Sequence, residues 1–228
     1  MLLQFIASFS MKKISLKATS SFAAAGCVTA VIGLCSSPAF AAPALQGYVM
    51  RVQMTPAVCA LDSSRQKTRQ CLEGYSLTIA GLLPETTEED CTTSSSANLS
   101  PIQANVVSRI MPGENSRAQL WHSVGGCLPM NASQYFRTII NYAERLKIPA
   151  DLTGSVSRQI QNNSFKQQFL KLNPALPNNG IRFSCESLRG APVLTEVQVC
   201  YRVNGQYKQC SSEVVSSCPG SFTVKGAY

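Results

Sequence analysis

The sequence predicts an α+β domain cross-linked by disulfides, and three observations carry that prediction. Short segments alternate apolar and polar side chains with a period of two, other segments carry an apolar stripe at helical spacing, and eight cysteines follow an apolar leader. The leader reads Met11-Lys12-Lys13, a further Lys17, an apolar run from Phe22 to Leu34 and the small-residue exit Ala39-Phe40-Ala41. A basic start, an apolar middle and an A-x-A exit make residues 1–41 a secretory signal peptide, with Met11 as the true start and cleavage before Ala42. A membrane anchor is the weaker reading, because the run falls short of the roughly 20 residues a span needs. Lipid attachment at Cys27 is weaker too, since it would leave a second apolar run in the mature chain. The expectation is a single domain over 42–228, periplasmic or secreted, monomeric and without a membrane span.

Removing Lys12, Lys13 and Lys17 with the leader leaves 17 basic and 12 acidic side chains, a net charge of +5. That mild excess points only weakly to an anionic partner. The remaining cysteines are Cys59, Cys71, Cys91, Cys127, Cys185, Cys200, Cys210 and Cys218. An even count in an exported chain argues for up to four disulfides. No C-x-x-C pair occurs among them and the chain holds one histidine, so neither a metal nor another cofactor is expected.

Along the chain, Tyr48, Met50, Val52 and Met54 alternate with Val49, Arg51, Gln53 and Thr55, the pattern of a half-buried strand over 48–55. Residues 62–70 are polar and carry Arg65, Lys67 and Arg69, a loop closed by Cys59 and Cys71. A second strand runs from Tyr75 to Ala80, ended by Gly81 and Pro84. The acidic and Ser/Thr-rich stretch 85–100 reads as a solvated loop. A helix over 116–127 would place Leu120, Val124, Cys127 and Ser123 on one face. Asn131 and Gln134 form a capping-box signal, and Phe136, Ile139, Ile140, Ala143 and Leu146 make the core stripe behind it. A further helix is predicted over 155–172, ended before Asn173-Pro174, and strands over 181–185, 193–202 and 221–225.

Two boxes carry a resemblance. Leu77-Thr78-Ile79-Ala80-Gly81-Leu82-Leu83-Pro84 resembles the first catalytic box of the ribonuclease T2 family, which ends His-Gly-Leu-Trp-Pro. Gln119-Leu120-Trp121-His122-Ser123-Val124-Gly125-Gly126-Cys127 resembles the second, usually His-Glu-Trp-x-Lys-His-Gly-Thr-Cys. Pro56-Ala57-Val58-Cys59 before them, and Gln134-Tyr135-Phe136-Arg137, Lys147-Ile148-Pro149 and 194–200 after them, match later or earlier family segments in order. The resemblance implies a central antiparallel sheet flanked by helices. It also implies the pairing Cys91–Cys127, Cys185–Cys218 and Cys200–Cys210, with Cys59–Cys71 as the remaining local pair.

The same resemblance implies a loss. The positions of the family's two catalytic histidines are Ala80 and Val124, and those of its phosphate-holding histidine, glutamate and lysine are Gln119, Leu120 and Ser123. The first-box tryptophan is Leu83. General acid–base cleavage of RNA needs groups that titrate near the working pH, each worth about 10²–10⁴ in rate, and alanine and valine have none. His122 alone cannot serve a two-histidine mechanism. On a helix it points about 160° away from position 124, and it reads as a surface residue with no duty.

The expected function is therefore binding by a catalytically inactive relative, with RNA or another protein as partner. Weak or altered ribonuclease activity through His122 is the alternative. A small apolar ligand held at Leu83, Leu120 and Val124 is a third reading. Leu83, Trp121, His122, Arg65, Lys67 and Arg69 are the candidate binding residues. The acidic run from Glu85 to Asp90 argues against phosphate nearby.

Overall fold

The structure, a computed structural model, describes residues 45–227. The signal peptide expected over residues 1–41 lies outside the described residues. The first strand, β1 (Gly47–Met54), follows the alternation: Tyr48, Met50, Val52 and Met54 are each at most 2% exposed. It stops one residue before the sequence-based boundary. Thr55 opens a helix instead, α1 (Thr55–Leu61), with Pro56 in the first turn where a missing N–H costs nothing. The expected loop over 62–70 is a 3₁₀ turn, Ser63–Lys67, followed by the short helix α2 (Arg69–Leu72).

Strand β2 (Leu77–Glu85) does not end at Gly81 but runs through Pro84. It can do so because β2 is an edge strand, where proline's missing donor breaks no ladder bond. Its outer edge is closed by single contacts. The Ile79 N–H donates to the Ile110 carbonyl at 2.8 Å. The Tyr135 hydroxyl accepts from the Leu82 N–H at 3.3 Å and donates to the Leu82 carbonyl at 2.9 Å.

Ser100-Pro101 starts a further helix, α3 (Pro101–Ser108), directly after the expected loop over 85–100; Ser100 Oγ accepts from the Gln103 N–H. Next come α4 (Glu114–Val124), with residues 125–127 in a 3₁₀ turn, and α5 (Ala132–Arg145). The capping box of α5 is complete in both directions, at 3.0 and 2.9 Å. The expected helix over 155–172 is two elements. Arg158–Gln161 forms β3, and α6 starts at Asn162 (Asn162–Leu172). The Asn162 amide donates to the Cys218 and Pro219 carbonyls, and its backbone N–H donates to Gly220, so the chain is pinned there before the helix begins.

Strands β4 (Ile181–Leu188), β5 (Ala191–Tyr201) and β6 (Ser221–Val224) complete a six-stranded sheet of order β2-β1-β5-β6-β3, with β4 also paired to β5. Every pairing is antiparallel except β5–β6, which touch in parallel at Val193 and Thr223. The four disulfides pair as the resemblance implies.

The two faces of the sheet differ in chemistry. Met50, Val52 and Leu82 are buried in one core with Tyr135, Phe136 and Ile139 of α5, and Phe165, Phe169, Phe183 and Phe222 form an aromatic cluster in the same core. On the other face, cross-strand register aligns Thr78, Gln53, Glu196 and Ser184 in one row and Gly81, Arg51, Gln198 and Arg182 in the next. That polar face carries the candidate site.

Candidate functional site

Ala80 has no cross-strand partner. Arg51 lies opposite Gly81 and Val52 opposite Ile79, so Ala80 is the extra residue of a β-bulge. A bulge locally turns a strand and re-aims a side chain, and here it sets Ala80 at the wall of a cleft of about 170 Å³. The polar side chains of this cleft are Gln53, Arg65, Gln70, Thr78, Ser116 and Arg117. None is a carboxylate or an imidazole. Arg117 is 8% exposed and donates through Nη1 to the Met111 carbonyl at 2.5 Å.

A second cleft, of about 320 Å³, adjoins the first and shares Gln53 and Arg65 with it. Its floor is an ion pair. Arg51 Nε donates to both carboxylate oxygens of Glu196 at 2.8 Å, and Arg51 Nη2 lies 2.7 Å from Oε2. Gln198 Nε2 donates to Glu196 Oε1 at 2.7 Å. Asp62 stands at the rim, where the Ser64 hydroxyl and backbone N–H, and secondarily Arg65, hold its carboxyl below the usual range. Arg51 and Gln53 belong to the alternating strand, but their partner Glu196 is 145 residues from Arg51, and nothing in the sequence links them. No local pattern in the sequence marks Arg117 either.

The second box sits on α4 with its parts dispersed. Leu120 lies directly on Gly81: a Cβ built there would meet Leu120 Cδ1 at 2.9 Å. Val124 is buried in the core at 5% exposure. Leu120 and Val124 therefore occupy packed positions, while Leu83 is half-buried on β2 opposite Val49. Gln119 and Ser123 are exposed, and Ser123 Oγ donates to the Leu120 carbonyl at 2.8 Å.

Trp121 is 2% exposed and belongs to the core, with its indole N–H donating to the Ser95 carbonyl and hydroxyl. His122, expected as a surface residue with no duty, has a partner. Its Nδ1 lies 2.9 Å from the Thr93 carbonyl, which accepts the ring N–H, while the Thr93 N–H donates to the His122 carbonyl at 2.9 Å. The imidazole thus fastens the 86–100 segment to α4 and is not among the residues lining either cleft.

Of the three basic residues before the first box, Arg65 lines both clefts and pairs with Asp62 at 3.1 Å. Arg69 pairs with Glu73 at 2.6 Å, and Lys67 is exposed outside both linings. Glu85 is not a loop residue. It ends β2 and pairs with Lys208 at 2.5 Å, with both side chains largely buried, so it adds no free negative charge beside the first box. Among the described residues, no cluster of three or more His, Cys, Asp or Glu could hold a metal ion, and no helix is long and apolar enough to cross a membrane.

No family model and no curated protein matches the chain. Solved structures do. Ribonuclease MC1 from the seeds of bitter gourd is 18% identical with a TM-score of 0.60, covering 78% of this chain and 98% of that one. The SF11 ribonuclease of Nicotiana alata, associated with self-incompatibility, is 14% identical with a TM-score of 0.61, covering 77% and 95%. An RNase-related protein from Calystegia sepium is 16% identical with a TM-score of 0.59, covering 78% and 96%. At these identities the likeness is one of fold, and the chain has the ribonuclease T2-like fold that its two boxes resemble.

Proposed function

We propose that this protein is exported, binds single-stranded RNA in the groove beside Ala80, and does not cleave it. The observation that carries the reading is the lining of the first cleft: two guanidinium groups with amides and hydroxyls, and no carboxylate or imidazole. A guanidinium stays protonated at any working pH, so it attracts phosphate but cannot take a proton from a ribose 2′-hydroxyl. Amides and hydroxyls hydrogen-bond without titrating near neutrality. Such a cleft can hold an anion and has no general base to act on it. The fold points the same way about ligand class, since a ribonuclease MC1 variant of this fold has been solved with 5′-UMP bound. Four disulfides support export to an oxidising compartment, with residues 42–228 as the mature domain. Leu120 packed onto Gly81 speaks against an apolar ligand at that point.

Binding of a fluorescein-labelled RNA hexamer without divalent ions tests this. Two phosphates neutralised by Arg65 and Arg117 give a log–log salt slope of about −1.4, a roughly sevenfold loss of affinity between 50 and 200 mM salt. Arg65→Gln, an exposed position, halves that slope, and Arg117→Gln does the same wherever its fold is intact. Absence of measurable binding at 50 mM salt would overturn the reading.

A further inference from the structure

A third cleft carries an inference that does not depend on the RNA reading. It holds about 440 Å³ and shares no lining residue with the two clefts of the candidate site. Arg189 belongs to its lining and reaches it from a strained position. Leu188 pairs with Ala191 across the β4–β5 hairpin, which leaves Arg189 and Gly190 as a two-residue turn with φ of 53° and 85°. The first position of such a turn favours glycine, asparagine or aspartate, because a left-handed backbone crowds a larger side chain. Among the described residues, Arg189 is the one non-glycine residue with a positive φ. Strain of this kind persists where a particular side chain is needed at that point. Arg189 is exposed, and its side chain makes no ion pair or hydrogen bond within the described residues.

The rest of the lining offers donors and no acid. Lys225 is its second cation, and Gln66, Ser157 and Thr223 add an amide and two hydroxyls. Ser157 Oγ already accepts from the Gly226 N–H at 3.1 Å, so its hydroxyl proton is left to donate elsewhere. The Ala227 N–H donates to the Gly154 carbonyl at 3.0 Å, and these two bonds hold the chain after β6 against the chain before β3. None of the described lining residues is a carboxylate. A phosphomonoester presents three strong acceptor oxygens, and a guanidinium fork takes two of them at once. Leu188 and Val193 give the same cleft an apolar wall, against which a short carbon skeleton can lie.

We infer that this cleft binds the phosphomonoester group of a small organic ligand, of the glycerol phosphate or sugar phosphate class, with Arg189 setting the affinity. Phosphatidic acid presents the same group at a membrane surface, so the soluble and the lipid source must be compared.

The test is an amide NMR titration of the mature protein with glycerol phosphate, with glycerol as the neutral control. Beside it runs co-sedimentation with phosphatidylcholine vesicles with and without phosphatidic acid. Glycerol phosphate should shift the Arg189, Gly190, Ser157 and Thr223 amides to saturation, and glycerol should not. Asparagine suits the left-handed turn, so Arg189→Asn should raise the urea midpoint while weakening glycerol phosphate binding about tenfold. Co-sedimentation that needs phosphatidic acid and is lost in Arg189→Asn, without saturation by glycerol phosphate, supports the same site with a lipid as its ligand. Arg189→Asn protein that binds as tightly as the wild type overturns the inference. So does a wild type that neither saturates nor sediments, or one whose shifts are confined to the cleft beside Ala80. The RNA reading rests on other residues and is tested separately.

Discussion

Trp121→Ala lowers the stability of the domain by about 3–5 kcal/mol, the cost of deleting a large buried aromatic side chain. The indole is 2% exposed, its ring centroid lies 5.7 Å from that of Tyr135, and Gly125 packs so tightly that a Cβ there would come within 2.9 Å of the ring. Its N–H also ties the 86–100 segment to α4 through Ser95. With a urea m-value of about 2 kcal/mol per molar, the midpoint should fall by about 2 M. Folded Trp121→Ala protein should keep the wild-type affinity for RNA, because Trp121 lines neither cleft. A loss below 1 kcal/mol would show that the residue is not core, and a folded variant that no longer binds would make it a ligand contact.

Removing the Cys91–Cys127 bridge by paired serine substitution should cost about 4 kcal/mol. Its sequence separation of 36 closes the longest loop of the four disulfides, and the chain-entropy account weights a bridge by the logarithm of its loop. The Cys59–Cys71 bridge, with a separation of 12, should cost about 3 kcal/mol by the same reasoning. The difference is enlarged by what the longer bridge organises. The Gly126 N–H donates to the Cys91 carbonyl at 2.8 Å, and a Cβ on Gly126 would meet the Thr92 carbonyl oxygen at 2.4 Å. Urea melts of both serine pairs check the order, and a smaller loss for the Cys91–Cys127 pair would contradict it.

Local signals in the sequence proved readable where one element decides its own structure. Tyr48 to Met54 alternates because its alternate residues enter the core, and the Asn131–Gln134 capping box closes on itself within one turn. Elements decided by distant partners were not readable. Residues 158–161 are polar apart from Ile160 and pass for the start of a helix until β6, some 60 residues later, pairs with them. Pro84 looks like a strand end unless β2 is known to be an edge. The starts at Thr55 and Pro101 did carry a signal, a proline in the first helical turn, that the alternation and the polar run around them obscured.

The same division holds at the candidate site. The positions that match the two boxes were legible by resemblance, Ala80 and Leu120 among them. That Ala80 sits on a bulge is a property of register between β1 and β2, which no single segment encodes. The Arg51–Glu196–Gln198 floor joins two strands far apart in the chain, and His122 acquires its role only from Thr93 in a loop 29 residues away.

The measurement that tests the central claim most directly is RNA cleavage by the purified mature chain, residues 42–228, between pH 4 and 8, beside His122→Ala. Neither should release product above a buffer blank at any pH, since the cleft beside Ala80 holds no carboxylate or imidazole to act as general base. Cleavage by the natural protein that disappears in His122→Ala would contradict it, and would place a catalytic imidazole where the structure shows one bound to Thr93.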